Sequence, residues 1–206
     1  GGAPGVGKTY AMLHDALEIR KKNLDVVIGI VESHGRETIN NLIKEFTVLP
    51  RQQVTYRDRE YLEFDLDASL KRAPGLILVD EMAHTNIDGL RHSKRWQDIK
   101  ELLDRGIDVY TTLNVQHIES LKDDVAQIIN APIHETVPDF MLELADIIEL
   151  VDLPVEDLLK RLNEGKILLH CANLHYVQRL YMLNPRYNSI ASHMELRKFG
   201  RLGTKF

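Results

Sequence analysis

Strand and helix signals alternate along this 206-residue chain, which predicts an α/β fold with a mostly parallel sheet wrapped by helices. Two motifs sharpen that class. Residues 2–9 (GAPGVGKT) fit G-x-x-x-x-G-K-[ST], and residues 76–81 (LILVDE) form an apolar run ending in two carboxylates. The first is a phosphate-binding P-loop and the second a buried strand with an acidic end. Together they predict a P-loop NTPase-like, three-layer arrangement for residues 1–165, followed by a helical or partly disordered extension over 166–206. A P-loop is entered from a strand and none precedes Gly2, so the sequence is expected to be a piece lacking the first strand of its sheet.

Gly2, Gly5 and Gly7, with Ala3, Pro4 and Val6 between them, let consecutive backbone N–H groups turn inward around a phosphate. Lys8 brings a point charge to the β/γ oxygens, and the Thr9 hydroxyl is placed to ligate the Mg²⁺ that accompanies a nucleotide. Tyr10 opens the helix that follows and is grouped with the nucleotide-binding residues. Apolar Met12, Leu13, Ala16, Leu17 and Ile19 give that helix its spacing, and its N-terminal dipole faces the phosphates. Asp80, at the end of the second motif, is expected beside Thr9 on the Mg²⁺, with Glu81 placed to orient or activate water.

The remaining elements follow from local signals. Residues 26–31 read as a strand and 37–46 as a helix. Residues 54–56 read as a short strand at an edge, and 65–72 as a brief helix. Trp96, Ile99, Leu102 and Leu103 mark the buried face of a further helix closed by Gly106 in the C′ position. Residues 107–113 read as a strand, 118–129 as a helix stopped by Asn130 and Pro132, 147–151 as the last strand, and 154–165 as a helix opened by Pro154 and ended by Gly165.

In open parallel sheets ligands sit at the carboxyl ends of the strands. Residues 32–36, 80–86 and 111–117 put polar side chains at that rim. His34, Arg36 and His117 are sensing candidates there. Asn114 is expected either to sense a γ-phosphate or attacking water, or to cap the helix through Ile118, with capping slightly ahead. Arg91, Lys94 and Arg95 around Trp96 read first as the solvated face of a helix, with an anion or partner surface, or an arginine finger in trans, as the alternatives.

Composition narrows the function classes. With 26 Lys+Arg against 31 Asp+Glu the net charge is −5, so nucleic acid is not an expected partner. A single cysteine, Cys171, rules out an internal disulfide framework and suits a reducing cytosol. No apolar run of about 18 residues occurs, so these residues are expected to be soluble, with any membrane anchor outside them. The nine histidines show no ligand spacing, and no transition-metal site is expected.

Several stretches are worded more specifically than a P-loop: GAPGVGKTYAML (2–13), VESHGR (31–36), EFDLDA (63–68), LVDEMAHTN (78–86), RHSKRWQD (91–98), GIDVYTTLNVQHIESL (106–121), ETVPD (135–139) and LVDLP (150–154). On these the sequence resembles the cytoplasmic N-terminal domain of the KdpD family of potassium-responsive bacterial sensor histidine kinases. The resemblance implies an input domain that binds ATP, with residues 2–9 and Asp80 as its site. It also implies a membrane-bound parent whose autokinase and phosphatase activities this domain adjusts, controlling a potassium uptake system through a response regulator. The implied partners are the kinase core of the same polypeptide and that regulator, and a homodimer is admitted. By itself the piece is expected to lack a kinase core and to have at most slow ATPase activity. The alternatives are a P-loop small-molecule kinase or NTPase, which should carry an Arg-rich lid, and a GTPase, which lacks its guanine signature because Asn114 is followed by Val-Gln-His.

Overall fold

The structure, a computed structural model, describes residues 5–154 together with 156, 157, 160 and 161. Gly2, Ala3 and Pro4 of the loop, the end of the 154–165 helix and the 166–206 extension lie outside the described residues. Glu156, Asp157, Lys160 and Arg161 are helical, as expected.

Four parallel strands form the main sheet in the order β2-β1-β5-β6. β1 (Val26–Ile30) and β5 (Leu76–Val79) are central and buried at every position, which is why both read as unbroken apolar runs. β6 (Asp108–Thr111) and β2 (Thr47–Val48) are the edges, and β2 is exposed. Side chains alternate across the central strands. Val26, Ile28, Leu76 and Leu78 pack with Met12, Leu13 and Ala16 of α1 (Lys8–Lys21) and Ile39 of α2 (Glu37–Ile43). Val27, Ile77 and Val79 pack on the other face with Leu66 of α3 (Leu66–Arg72) and Ile99 and Leu102 of α4 (Arg95–Asp104). Helices therefore cover both faces, and the α/β class with a mostly parallel sheet stands. Gly29 is required where Phe64 crosses β1, because a Cβ there would lie 2.6 Å from Phe64 Cε2 and 2.9 Å from Ile77 Cδ1. Asp65 caps α3 by accepting from Ala68 N–H at 2.8 Å.

The departures from the sequence reading have local causes. Residues 54–56 belong not to the main sheet but to a separate antiparallel hairpin, β3 (Gln52–Tyr56) with β4 (Arg59–Glu63). Its two-residue turn, Arg57 and Asp58, takes φ of 50° and 61° without a glycine, so the usual hairpin signal is missing. The expected 118–129 helix begins only at α5 (Lys122–Ile129), after 3₁₀ turns at Val115–His117 and Glu119–Leu121. Ile118 between them is extended and bridges Val137, so apolar spacing continues through residues that are not α-helical. Residues 147–151 form no strand. Ile147 is 84% exposed, so its apolar character reflects no buried ladder. Leu103, assigned to the buried face of α4, is exposed, while Gly106 follows the helix with φ 76° as expected. A short α6 (Phe140–Glu143) was not expected, and its Phe140 ring meets Trp96 edge-on at 5.7 Å.

Candidate functional site

At the carboxyl ends of β1, β5 and β6 the chain converges on Asp80. The register aligns Val79 with Thr111 of β6 and with Ile30 of β1, so the residues after each strand meet at one level. Asp80 is 1% exposed. Its Oδ2 accepts from Thr9 Oγ1 at 3.1 Å and from Glu32 N–H at 3.4 Å. Its Oδ1 accepts from Thr112 Oγ1 at 2.5 Å and from Glu81 N–H at 3.1 Å. Burial pushes the Asp80 pKa up, against the Thr112 and Thr9 hydrogen bonds that favour the carboxylate.

The described part of the glycine loop approaches this carboxylate from α1. Gly5 and Gly7 have φ of 86° and 109°, left-handed geometry that a side chain would strain. The α1 N-cap is Gly7, which has no side chain to cap the helix. Val6 is buried beneath the loop. Lys8 has its pKa brought down to about 8, first by burial and then by the charge of Arg36, against the opposing charges of Asp80, Glu81 and Asp152. Tyr10 points away from this centre. It is exposed and stacks on His14 at 6.1 Å.

Of the rim candidates, His34 joins the site: its Nε2 lies 3.4 Å from Glu81 Oε1. That contact raises the His34 pKa and holds Glu81 below the usual carboxylate range. His34 (φ 48°) and Glu81 (φ 57°) are both left-handed non-glycine residues, a backbone state that costs on the order of 1 kcal/mol and clusters at functional sites. Glu81 is fixed in it by Thr112, whose Oγ1 accepts Glu81 N–H at 3.2 Å and whose carbonyl accepts Met82 N–H at 3.0 Å. Arg36 is near enough to act on Lys8 electrostatically.

His117 is turned toward Glu135. Its Nδ1 lies 2.8 Å from the Glu135 carbonyl, which an N–H at Nδ1 would satisfy, and burial lowers its pKa. Asn114 sits at the N-cap position, but its side chain makes no capping hydrogen bond and its buried Oδ1 has no partner. The capping role is therefore not taken up. Thr111 Oγ1 at the end of β6 and Gln116 Oε1 in the 3₁₀ turn after Asn114 are also buried without a partner.

The reading of Arg95 as part of a solvated face is overturned. Arg95 is 2% exposed, and its Nη1 donates to the Asp80 carbonyl at 3.1 Å. Its Nη2 reaches Glu63 Oε2 at 3.4 Å, and His84 Nε2 lies 3.2 Å from the other Glu63 oxygen. Burial lowers the Arg95 pKa against the charge of Glu63. At Glu63 burial acts upward, but His84 and Arg95 outweigh it and the carboxyl is held low. Arg91 and Lys94 do sit at the surface. Arg91 pairs with Glu101 at 2.7 Å and with Asp67, and Lys94 Nζ donates to Thr85 Oγ1 at 2.6 Å. The sequence reading put Glu32 and Thr112 in the rim segments without giving either a role of its own, and gave Glu63 none; Thr112, directly after β6, carried the usable signal.

Chemically, Thr9 Oγ1 and Asp80 Oδ2 are two hard oxygens side by side at the base of the glycine loop, within electrostatic reach of the Lys8 ammonium. Mg²⁺ binds through one or two protein oxygens plus phosphate and water, and this donor set fits it. Among the described residues no group of three or more His, Cys, Asp or Glu converges as a metal site. Likewise, among them no helix is long and apolar enough to cross a membrane.

A family model described as the KdpD osmosensitive K⁺ channel His kinase sensor domain matches residues 1–183. The chain belongs to the KdpD sensor-domain family. It is 53% identical over 167 residues to the sensor protein KdpD of Escherichia coli strain K12, an alignment covering 81% of this chain and 19% of that protein. Identity to the sensor protein KdpD of Clostridium acetobutylicum is 51% over the same shares. A putative sensor protein KdpD of Synechocystis is 47% identical, with 45% of its length covered. The chain thus spans about a fifth of the first two relatives. The match extends past residue 154, where the last of the stretches that carry the resemblance ends.

Proposed function

We propose that this chain is an ATP-binding input domain of a bacterial membrane sensor histidine kinase, on the cytoplasmic side. Nucleotide occupancy adjusts the kinase-to-phosphatase balance of the whole protein, and through its response regulator the expression of potassium-uptake genes. The observation that carries the reading is the Thr9–Asp80 contact of 3.1 Å at the base of the glycine loop. A Walker-type Mg²⁺ site needs this pair, and the two residues are 71 positions apart in sequence. In this reading residues 2–9 cradle the phosphates as a P-loop, and Lys8 neutralises the β/γ oxygens. Thr9 and Asp80 hold Mg²⁺, directly or through water, and Tyr10 lies in the first turn of the supporting helix. The partners are the kinase core of the same polypeptide and the response regulator, and a second copy is compatible with the site.

His34, Arg36, Asn114 and His117 are the groups through which a γ-phosphate is sensed, because a ligand shifts an equilibrium only through contacts that differ between its states. The unpartnered Asn114 Oδ1 supports a role beyond capping. The small-molecule kinase alternative loses support, since its only lid candidate, the Arg91–Arg95 segment, has Arg95 buried under the sheet.

Equilibrium binding of Mg·ATP to the chain, with phosphate release measured in parallel, tests this reading. Glu81→Gln is expected to retain ATP affinity while reducing any phosphate release by about a hundredfold, because the amide cannot accept a proton from water. Equal release by both proteins would mean that Glu81 does not activate water.

Lys8 gives the site a pH dependence. Its pKa is about 8 without ligand, and phosphate oxygens would raise it. The bound form therefore holds more protons than the free form above pH 8. Affinity should be level below that pH, then fall by up to tenfold per unit until the bound-state pKa is passed. Calorimetry in buffers of different ionisation enthalpy should show proton uptake at pH 8.5 and almost none at pH 6.5.

A further inference from the structure

Arg161 donates from Nη1 to the carbonyl of Gly5 at 3.2 Å, across 156 positions of sequence. The same nitrogen would lie 3.7 Å from a Cβ placed on Gly7. The guanidinium therefore rests on the glycine loop between its two left-handed residues. Arg161 thus brings a cation onto the loop from the far end of the described residues.

The chemistry of this arrangement is lopsided. Lys8, the loop N–H groups and the uncapped start of α1 are all donors, and Arg161 adds a guanidinium with five N–H groups and no acceptor. A polyphosphate entering the loop offers planar pairs of oxygens that a guanidinium binds bidentately.

We propose that Arg161 belongs to the nucleotide site, as a phosphate ligand contributed from the far side of the loop. This rests on the reading of the loop as a nucleotide site and deepens it. It also gives the site an output, because Arg161 would exchange the Gly5 carbonyl for phosphate oxygens when Mg·ATP binds.

The test is calorimetric titration of Mg·ATP at pH 7 into the full chain and its Arg161→Gln and Arg161→Lys variants. Arg161→Gln is expected to weaken binding about tenfold, as loss of one charge-assisted contact does. Arg161→Lys should recover only part of that loss, because an ammonium cannot bind bidentately. That partial rescue, at an unchanged melting temperature, separates a ligand role from a merely structural one. Hydrogen exchange around Arg161 should slow on adding Mg·ATP to the unsubstituted chain and not in Arg161→Gln. Affinity unchanged in Arg161→Gln would overturn the inference while leaving the nucleotide reading in place. No Mg·ATP binding by the unsubstituted chain would overturn both.

Discussion

Replacing Arg95 by methionine is expected to lower the stability of the chain by about 3–5 kcal/mol, the cost of leaving a buried charge without its partner. Glu63 is 5% exposed and Arg95 2%, so neither reaches water when the other is removed. His84 remains beside Glu63 at 3.2 Å, but a half-exposed imidazole replaces only part of a guanidinium. The Asp80 carbonyl also loses its donor at 3.1 Å, which loosens the turn that holds Glu81 in its left-handed state. Urea unfolding followed by circular dichroism measures the loss. Adding Glu63→Leu to Arg95→Met should restore much of the stability, because exchanging a whole buried pair for apolar groups is often neutral. It should not restore the anchoring of the Asp80 turn. A single Arg95→Met substitution that costs under about 0.5 kcal/mol, as surface changes do, would show that this network does not hold the site.

Lys8→Ala should have the larger effect on ligand binding. The ammonium lies among Asp80, Glu81, Asp152 and Arg36, and burial has already lowered its pKa to about 8. Keeping a charge there is costly without an anion and favourable with one. Its removal deletes charge-assisted contacts worth about 1.5–3 kcal/mol each, so affinity for Mg·ATP should drop on the order of a hundredfold or more. The fold should tolerate the change, because deleting a partly desolvated charge leaves no buried partner without donors: Asp80 keeps Thr9, Thr112 and two backbone N–H groups. Calorimetric titration, with the melting temperature as control, measures both effects.

The parts of this molecule legible in sequence are those where one local signal coincides with the tertiary demand. VVIGI and LILV are buried on both sides, so burial alone wrote them as apolar runs. GVGKT needs left-handed glycines at Gly5 and Gly7, and its spacing preserves them. Asp80 was legible because it ends such a run. What escaped depends on partners distant in sequence. Arg95 looks like its neighbours Arg91 and Lys94, and only the approach of Glu63 and the Asp80 carbonyl makes it a core residue. The hairpin was hidden because Arg57 and Asp58 take the left-handed conformation usually marked by glycine or asparagine. Residues 147–151 show the converse, an apolar stretch with no ladder to join.

The measurement that bears most directly on the central claim is titration of the folded chain with ATP, with and without Mg²⁺, against the same titration of Lys8→Ala. The account predicts saturable binding at a single site, strengthened by Mg²⁺ through Thr9 and Asp80, and lost or greatly weakened in Lys8→Ala. A folded chain that binds no ATP under either condition, or a Lys8→Ala protein that binds it as well as the unsubstituted chain, would contradict it.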